Sequence, residues 1–144
     1  MTVSIPVASV GANPSIAKEL QAYLLPEYSI VHICLDLAAA TAELPLLFSG
    51  DRDVSPSSGL GTNDELSPAE RQIPRAIIFG GKTSEEEVQT ITQAVHAKAP
   101  GIKTVHVTKQ DIVEAGGNGP NPEIISSVLK KKLVELGDLS GPDA

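Results

Sequence analysis

The chain has 144 residues, 41% apolar and 20% charged, which is one globular domain's worth and leaves little room for a second. A net charge of −7 with two Tyr, two Phe and no Trp argues against nucleic acid, whose binders need a basic surface and rings for stacking. The lone cysteine, Cys34, can close no intramolecular disulfide, and no apolar run approaches the roughly 20 residues of a spanning helix. A cytoplasmic, reducing setting with no membrane partner is therefore expected.

Four segments read as strands: residues 3–10, 29–35, 76–79 and 103–108. Continuous Val/Ile runs suit a sheet covered on both faces. Pro6 is the awkward residue, because it cannot donate to a ladder. Between the strands lie helical periods. Residues 15–25 carry Ile16, Leu20, Tyr23 and Leu24 at helical spacing, with Pro26 as a stop. Residues 37–48 are Ala-rich, and Pro45 inside them predicts a kink or break. Residues 85–98 place Val88, Ile91 and Val95 on one face. Residues 122–136 do the same with Ile125, Val128, Leu129 and Leu133, and Gly137 closes them.

Strands alternating with helices predict right-handed crossovers and a parallel sheet. The expected fold is a three-layer α/β/α Rossmann-like domain over residues 1–137, with four strands in order 2-1-3-4. An insertion at 49–75 interrupts it, and Ser67-Pro68-Ala69-Glu70 within that insertion has the form of a capping box opening a short helix. Such a long connection is a functional element, an interface or a mobile insertion. Residues 138–144, rich in Gly, Pro and Asp, form a tail expected to fray.

Gly11-Ala12-Asn13-Pro14-Ser15-Ile16 joins the first strand to the first helix. Asn13 suits the N-cap, Pro14 the first turn, and Gly11 a tight turn. The same grammar recurs at Gly119-Pro120-Asn121-Pro122, so one reading is simply how this chain starts helices. The other is an anion site, since free amides at a helix start attract negative charge. Electrostatics then selects the first helix, which has no carboxylate before Glu19. Glu85, Glu86 and Glu87 occupy the start of the third helix, and Glu123 that of the last. Gly80 and Gly81, after the third strand, would adjoin the same crevice at the switch point of the sheet.

Residues 7–20, with Asp36 just after the second strand, resemble the first βαβ unit of NAD(P)-binding Rossmann proteins, particularly the short-chain dehydrogenase and NmrA-like groups. The resemblance implies NAD(P) or another nucleotide as cofactor, with the pyrophosphate near Gly11, Asn13 and Ser15 and the ribose on Asp36. Of that turn's glycines the chain keeps Gly11, while Pro14, Ser15 and Ala17 stand where others would be. Asp36 also reads as a plain N-cap for the second helix.

No catalytic constellation accompanies this candidate cofactor site of Gly11, Asn13, Ser15, Asp36, Gly80 and Gly81. The Tyr-x-x-x-Lys of short-chain dehydrogenases is missing, since Glu27 follows Tyr23 and His32 follows Tyr28 in that register. Gly81-Lys82-Thr83 lacks the upstream glycine of a P-loop, and Ser9-Val10-Gly11 stands where a receiver domain needs acids. His32, His96 and His106 show no metal-ligand spacing and read as packed or surface residues. Cys34 reads as a small buried hydrophobe. Two functions are expected: a small protein that binds a nucleotide or other anionic small molecule without catalysis, or a non-catalytic homodimeric scaffold. The homodimer follows from the last strand, an edge that mixes Thr and His among Val and needs cover.

Overall fold

The computed structural model describes residues 5–11, 13–25, 27–80, 83–117 and 121–136. Gly81, Gly119, Pro120, Gly137 and the 138–144 tail lie outside that set. Strands β1 (Ile5–Val10), β2 (Tyr28–Cys34), β3 (Ala76–Phe79) and β4 (Lys103–His106) form one sheet in order β2-β1-β3-β4, and every pairing is parallel. Helices α1 (Pro14–Leu24), α2 (Leu37–Phe48), α3 (Glu85–His96), α4 (Lys109–Glu114) and α5 (Pro122–Glu135) supply the other layers.

Two apolar clusters sandwich the sheet. On one face Ala17, Leu20 and Leu24 of α1 and Ile125, Leu129 and Leu133 of α5 meet Val7, Ile30, Ile33, Ile78 and Val105. On the other, Ala40, Leu44 and Phe48 of α2 and Ile91 and Val95 of α3 meet Ala8, Val10, Ile77 and Phe79. Burial on both faces is why these strands read as unbroken Val/Ile runs. The three-layer α/β/α architecture and the 2-1-3-4 order are those expected.

Several local expectations need correction. Helix α2 runs through Pro45 without a break, held beyond it by buried Leu47 and Phe48. Pro6, by contrast, fits its lack of a donor: it stays in the β1 ladder opposite Ser29 and contributes its carbonyl, which accepts from the Arg75 amide at 2.7 Å. The helix expected from Ser67 is one 3-10 turn, Pro68–Glu70, preceded by another at Thr62–Glu65. With no buried residue to anchor it, the Ser67 turn has nothing to propagate against. Helix α4 has a capping box of Thr108 with Asp111, in a segment too short for its periodicity to announce it.

The 49–75 insertion roofs the β2 edge. Ser58 Oγ donates to the Ile33 carbonyl at 2.6 Å. Gly61, at φ +106°, lies so close that a Cβ there would sit 2.5 Å from the Val31 carbonyl oxygen. Buried Asn63 mimics a peptide group, donating to the Gln72 carbonyl and accepting from its amide. The buried guanidinium of Arg71 gathers the turns: Nε donates to the Asn63 and Leu66 carbonyls, Nη1 to those of Arg52 and Val54. One exposed sheet edge is thereby covered from within the chain.

Candidate functional site

The carboxyl ends of β1, β2 and β3 bring together Gly11, Asn13, Ser15, Asp36 and Gly80. The Gly11 amide donates to the Cys34 carbonyl at 3.0 Å, and the Gly80 amide to the Val10 carbonyl at 3.0 Å, so ladder bonds hold both glycines beside the strand ends. A Cβ on Gly80 would lie 3.9 Å from the Gly11 Cα, whereas one on Gly11 would meet nothing within 4 Å. The crevice is thus lined by backbone and open above Gly11.

Two of its side chains are engaged in capping. Asn13 Oδ1 accepts from the Ser15 and Ile16 amides at 3.0 and 3.2 Å, and Asp36 accepts from the Ala39 amide at 2.7 Å. Each therefore serves as a helix cap, the alternative that the sequence offers for both. No acid sits in the first turn of α1, against Glu85–Glu87 in α3 and Glu123 in α5.

A second grouping was not foreseen. The β1–β2 ladder pairs Val7 with Ile30 and Ala8 with His32, skipping Val31. That extra residue inverts the phase of the strand. Ile30 and Ile33 go to the α1/α5 side, whereas Cys34 joins the α2/α3 side and His32 reaches Glu43 of α2. His32 Nε2 lies 2.8 Å from Glu43 Oε1, and Cys34 Sγ lies 3.9 Å from the same oxygen. The Ser57 amide of the insertion donates to that oxygen at 3.3 Å.

His32 is fully buried, and its Nδ1 has no hydrogen-bond partner among the described residues. Burial pushes its pKa down, against the opposing pull of Glu43. Burial also drives the Cys34 thiol far above its ordinary range, reinforced by the charges of Glu43 and Asp36. Both shifts favour the uncharged forms of Cys34 and His32. The signal available in the sequence was His32-x-Cys34, an alternation that shares one strand face, but nothing in it announced Glu43 as the third member.

His96 donates its ring Nε2 to the Ile102 carbonyl at 2.7 Å, and His106 stands edge-on to Phe79. Among the described residues no helix is long and apolar enough to cross a membrane.

No family model and no solved structure matches the chain. The Kojic acid related protein 6 of Aspergillus oryzae (strain ATCC 42149 / RIB 40) is similar to it, 30% identical over 136 residues that make up 94% of this chain and 77% of that protein.

Proposed function

The chain belongs to the family of the Kojic acid related protein 6, and from that premise we propose that it is a non-catalytic binding protein for an anionic small molecule, a nucleotide or a comparably small oxygen-rich acid. The ligand lies at the carboxyl edge of the sheet, over Gly11, Asn13, Ser15, Asp36 and Gly80. The observation that carries this reading is the juxtaposition of Gly11 and Gly80, a Cβ on one being 3.9 Å from the Cα of the other, beside the start of α1, which has no acid in its first turn or at its cap, whereas α2 is capped by Asp36 and α3 and α5 carry acids in their first turns. Ligand oxygens replace the Asn13 carboxamide on the Ser15 and Ile16 amides, exchanging one set of hydrogen bonds for a charge-assisted one.

A thermal-shift screen with NAD, NADP, ATP, FMN, phosphate and kojic acid tests it. A ligand at a hundred times its Kd adds about 2.7 kcal/mol, or roughly 8 °C in a domain of this size. Ser15→Glu puts a carboxylate at the same amides, so it should abolish that shift while slightly strengthening α1 through the helix dipole. An unchanged shift in the variant places the ligand elsewhere, and no shift with any compound removes the reading.

A second reading is favoured by the sheet edges. The chain roofs β2 with its own 49–75 segment, whereas the outer side of β4 carries no strand among the described residues, and Val113 of α4 and Val134 of α5 are exposed. On that reading the protein is a homodimeric scaffold. Light scattering at micromolar concentration should give twice the 15.0 kDa chain mass, and the monomer mass refutes it.

A further inference from the structure

His32, Cys34 and Glu43 bring three different ligand atoms, an imidazole nitrogen, a sulfur and a carboxylate oxygen, to within 4.8 Å of one another. The geometry points to a zinc site there, closed by the 49–75 insertion and separate from the crevice at Gly11 and Gly80.

Tetrahedral zinc with ordinary bond lengths separates a nitrogen from an oxygen ligand by about 3.3 Å, and either from a sulfur by about 3.6 Å. The observed 2.8 Å between His32 Nε2 and Glu43 Oε1 would have to open by a few tenths of an ångström. The 3.9 Å between Cys34 Sγ and that oxygen would close by about as much. The third pair, His32 with Cys34, lies within 4.8 Å and would draw in toward about 3.6 Å.

Charge favours the loaded state. A divalent ion with one thiolate, one carboxylate and a neutral imidazole sums to zero, so the buried assembly carries no net charge. Nearby Asp36 and Arg71, which act electrostatically on Cys34 and His32 respectively, are of opposite sign. The ligand set is borderline-soft, which suits zinc over magnesium or calcium.

The proton balance closes as well. Zinc replaces the Cys34 S–H proton, which leaves to solvent. The His32 proton moves from Nε2 to Nδ1, which has no hydrogen-bond partner among the described residues and so carries an unpaired N–H, and the metal replaces the bonds that Glu43 accepts from His32 and Cys34. The Ser57 amide continues to orient the carboxylate from outside, as outer-shell donors do in metal sites. Three protein ligands leave a fourth position for water.

The test is titration of the metal-stripped full-length protein with zinc against a chromophoric chelator. Expected are one zinc per chain, about one proton released, and a thiolate-to-metal charge-transfer band when cobalt(II) is substituted. Cys34→Ser should abolish the band and weaken zinc by more than about 100-fold, beyond the 10–100-fold typical of outer-shell changes. Glu43→Gln should weaken it by at least about tenfold, with circular dichroism confirming that each variant remains folded. Cys34→Val, which fills the site without a ligand, keeps the test open should Cys34→Ser misfold. Failure of the stripped wild-type protein to bind zinc overturns the proposal, as does binding without a cobalt–thiolate band or binding equally tight in a folded Cys34 variant.

Discussion

Replacing Gly61 by alanine should lever the 49–75 insertion off the β2 edge. Gly61 adopts φ +106° and ψ 152°, a region close to glycine-only, so any Cβ costs of order 1–3 kcal/mol in backbone strain. The added methyl would also sit 2.5 Å from the Val31 oxygen, 2.7 Å from its carbonyl carbon and 2.9 Å from the His32 Cα. Those are backbone atoms of a strand, so the loop must withdraw by about 1 Å to restore ordinary contact. Withdrawal strains the Ser58 bond to Ile33, and the combined destabilisation of the docked loop should reach about 3–5 kcal/mol. Gly59→Ala is the matched control. Gly59 also has positive φ, +72°, but a Cβ there meets nothing within 4 Å, so only about 1 kcal/mol of strain applies.

Cys34 reports the difference, being fully buried beside Glu43, whose carboxylate the insertion contacts. In native buffer its labelling by a thiol reagent samples local opening. A gap of about 3 kcal/mol between the two variants corresponds to labelling roughly a hundredfold faster in Gly61→Ala than in Gly59→Ala. Equal rates would refute the claim that the insertion is clamped to the strand through this contact.

Arg71→Met retains the stem but removes the donors to four carbonyls; urea denaturation should show a loss of about 3 kcal/mol, and a loss under 0.5 kcal/mol would contradict the clamp. Asn13→Ala should destabilise by about 1 kcal/mol through the lost cap. Calorimetry should nonetheless find ligand affinity held or tightened, because the competing carboxamide is gone. The carboxyl of Asp111 is held below its ordinary pKa, chiefly by the Thr108 amide, with the Thr108 hydroxyl and Lys132 adding to it. A depressed folded-state pKa contributes stability above the unfolded value and loses it as pH falls through the folded one. Asp111→Asn should therefore be less stable than wild type at neutral pH, by a margin that shrinks below about pH 4 and vanishes at the acid end of a denaturation series.

The helices that bury one face and the strands that bury two were legible, as were the capping residues Asn13 and Asp36, whose side chains accept from first-turn amides as their types require. So was the strand order, because helices alternating with short apolar strands leave few topologies. Three things were hidden. The bulge at Val31 has no residue signature of its own, yet it decides that His32 and Cys34 face Glu43. The role of the insertion depends on Gly61 and Ser58 meeting a strand far back in the chain, a tertiary contact that local pattern does not encode. Helix α4 buries Ile112 within six residues, too few for a period to show. At the crevice, the types of Asn13 and Asp36 announced the caps they form, and the first turn of α1 lacks the acids carried by α3 and α5, as the sequence reads.

Amide chemical shifts measured during titration with the nucleotide panel and kojic acid address the binding crevice most directly. Saturable shifts concentrated at Gly11, Ser15, Ile16, Ala39 and Gly80 are predicted for at least one compound, with the remainder of the sheet undisturbed. A flat response at those amides for every compound, or saturable shifts confined to another face, would contradict the account.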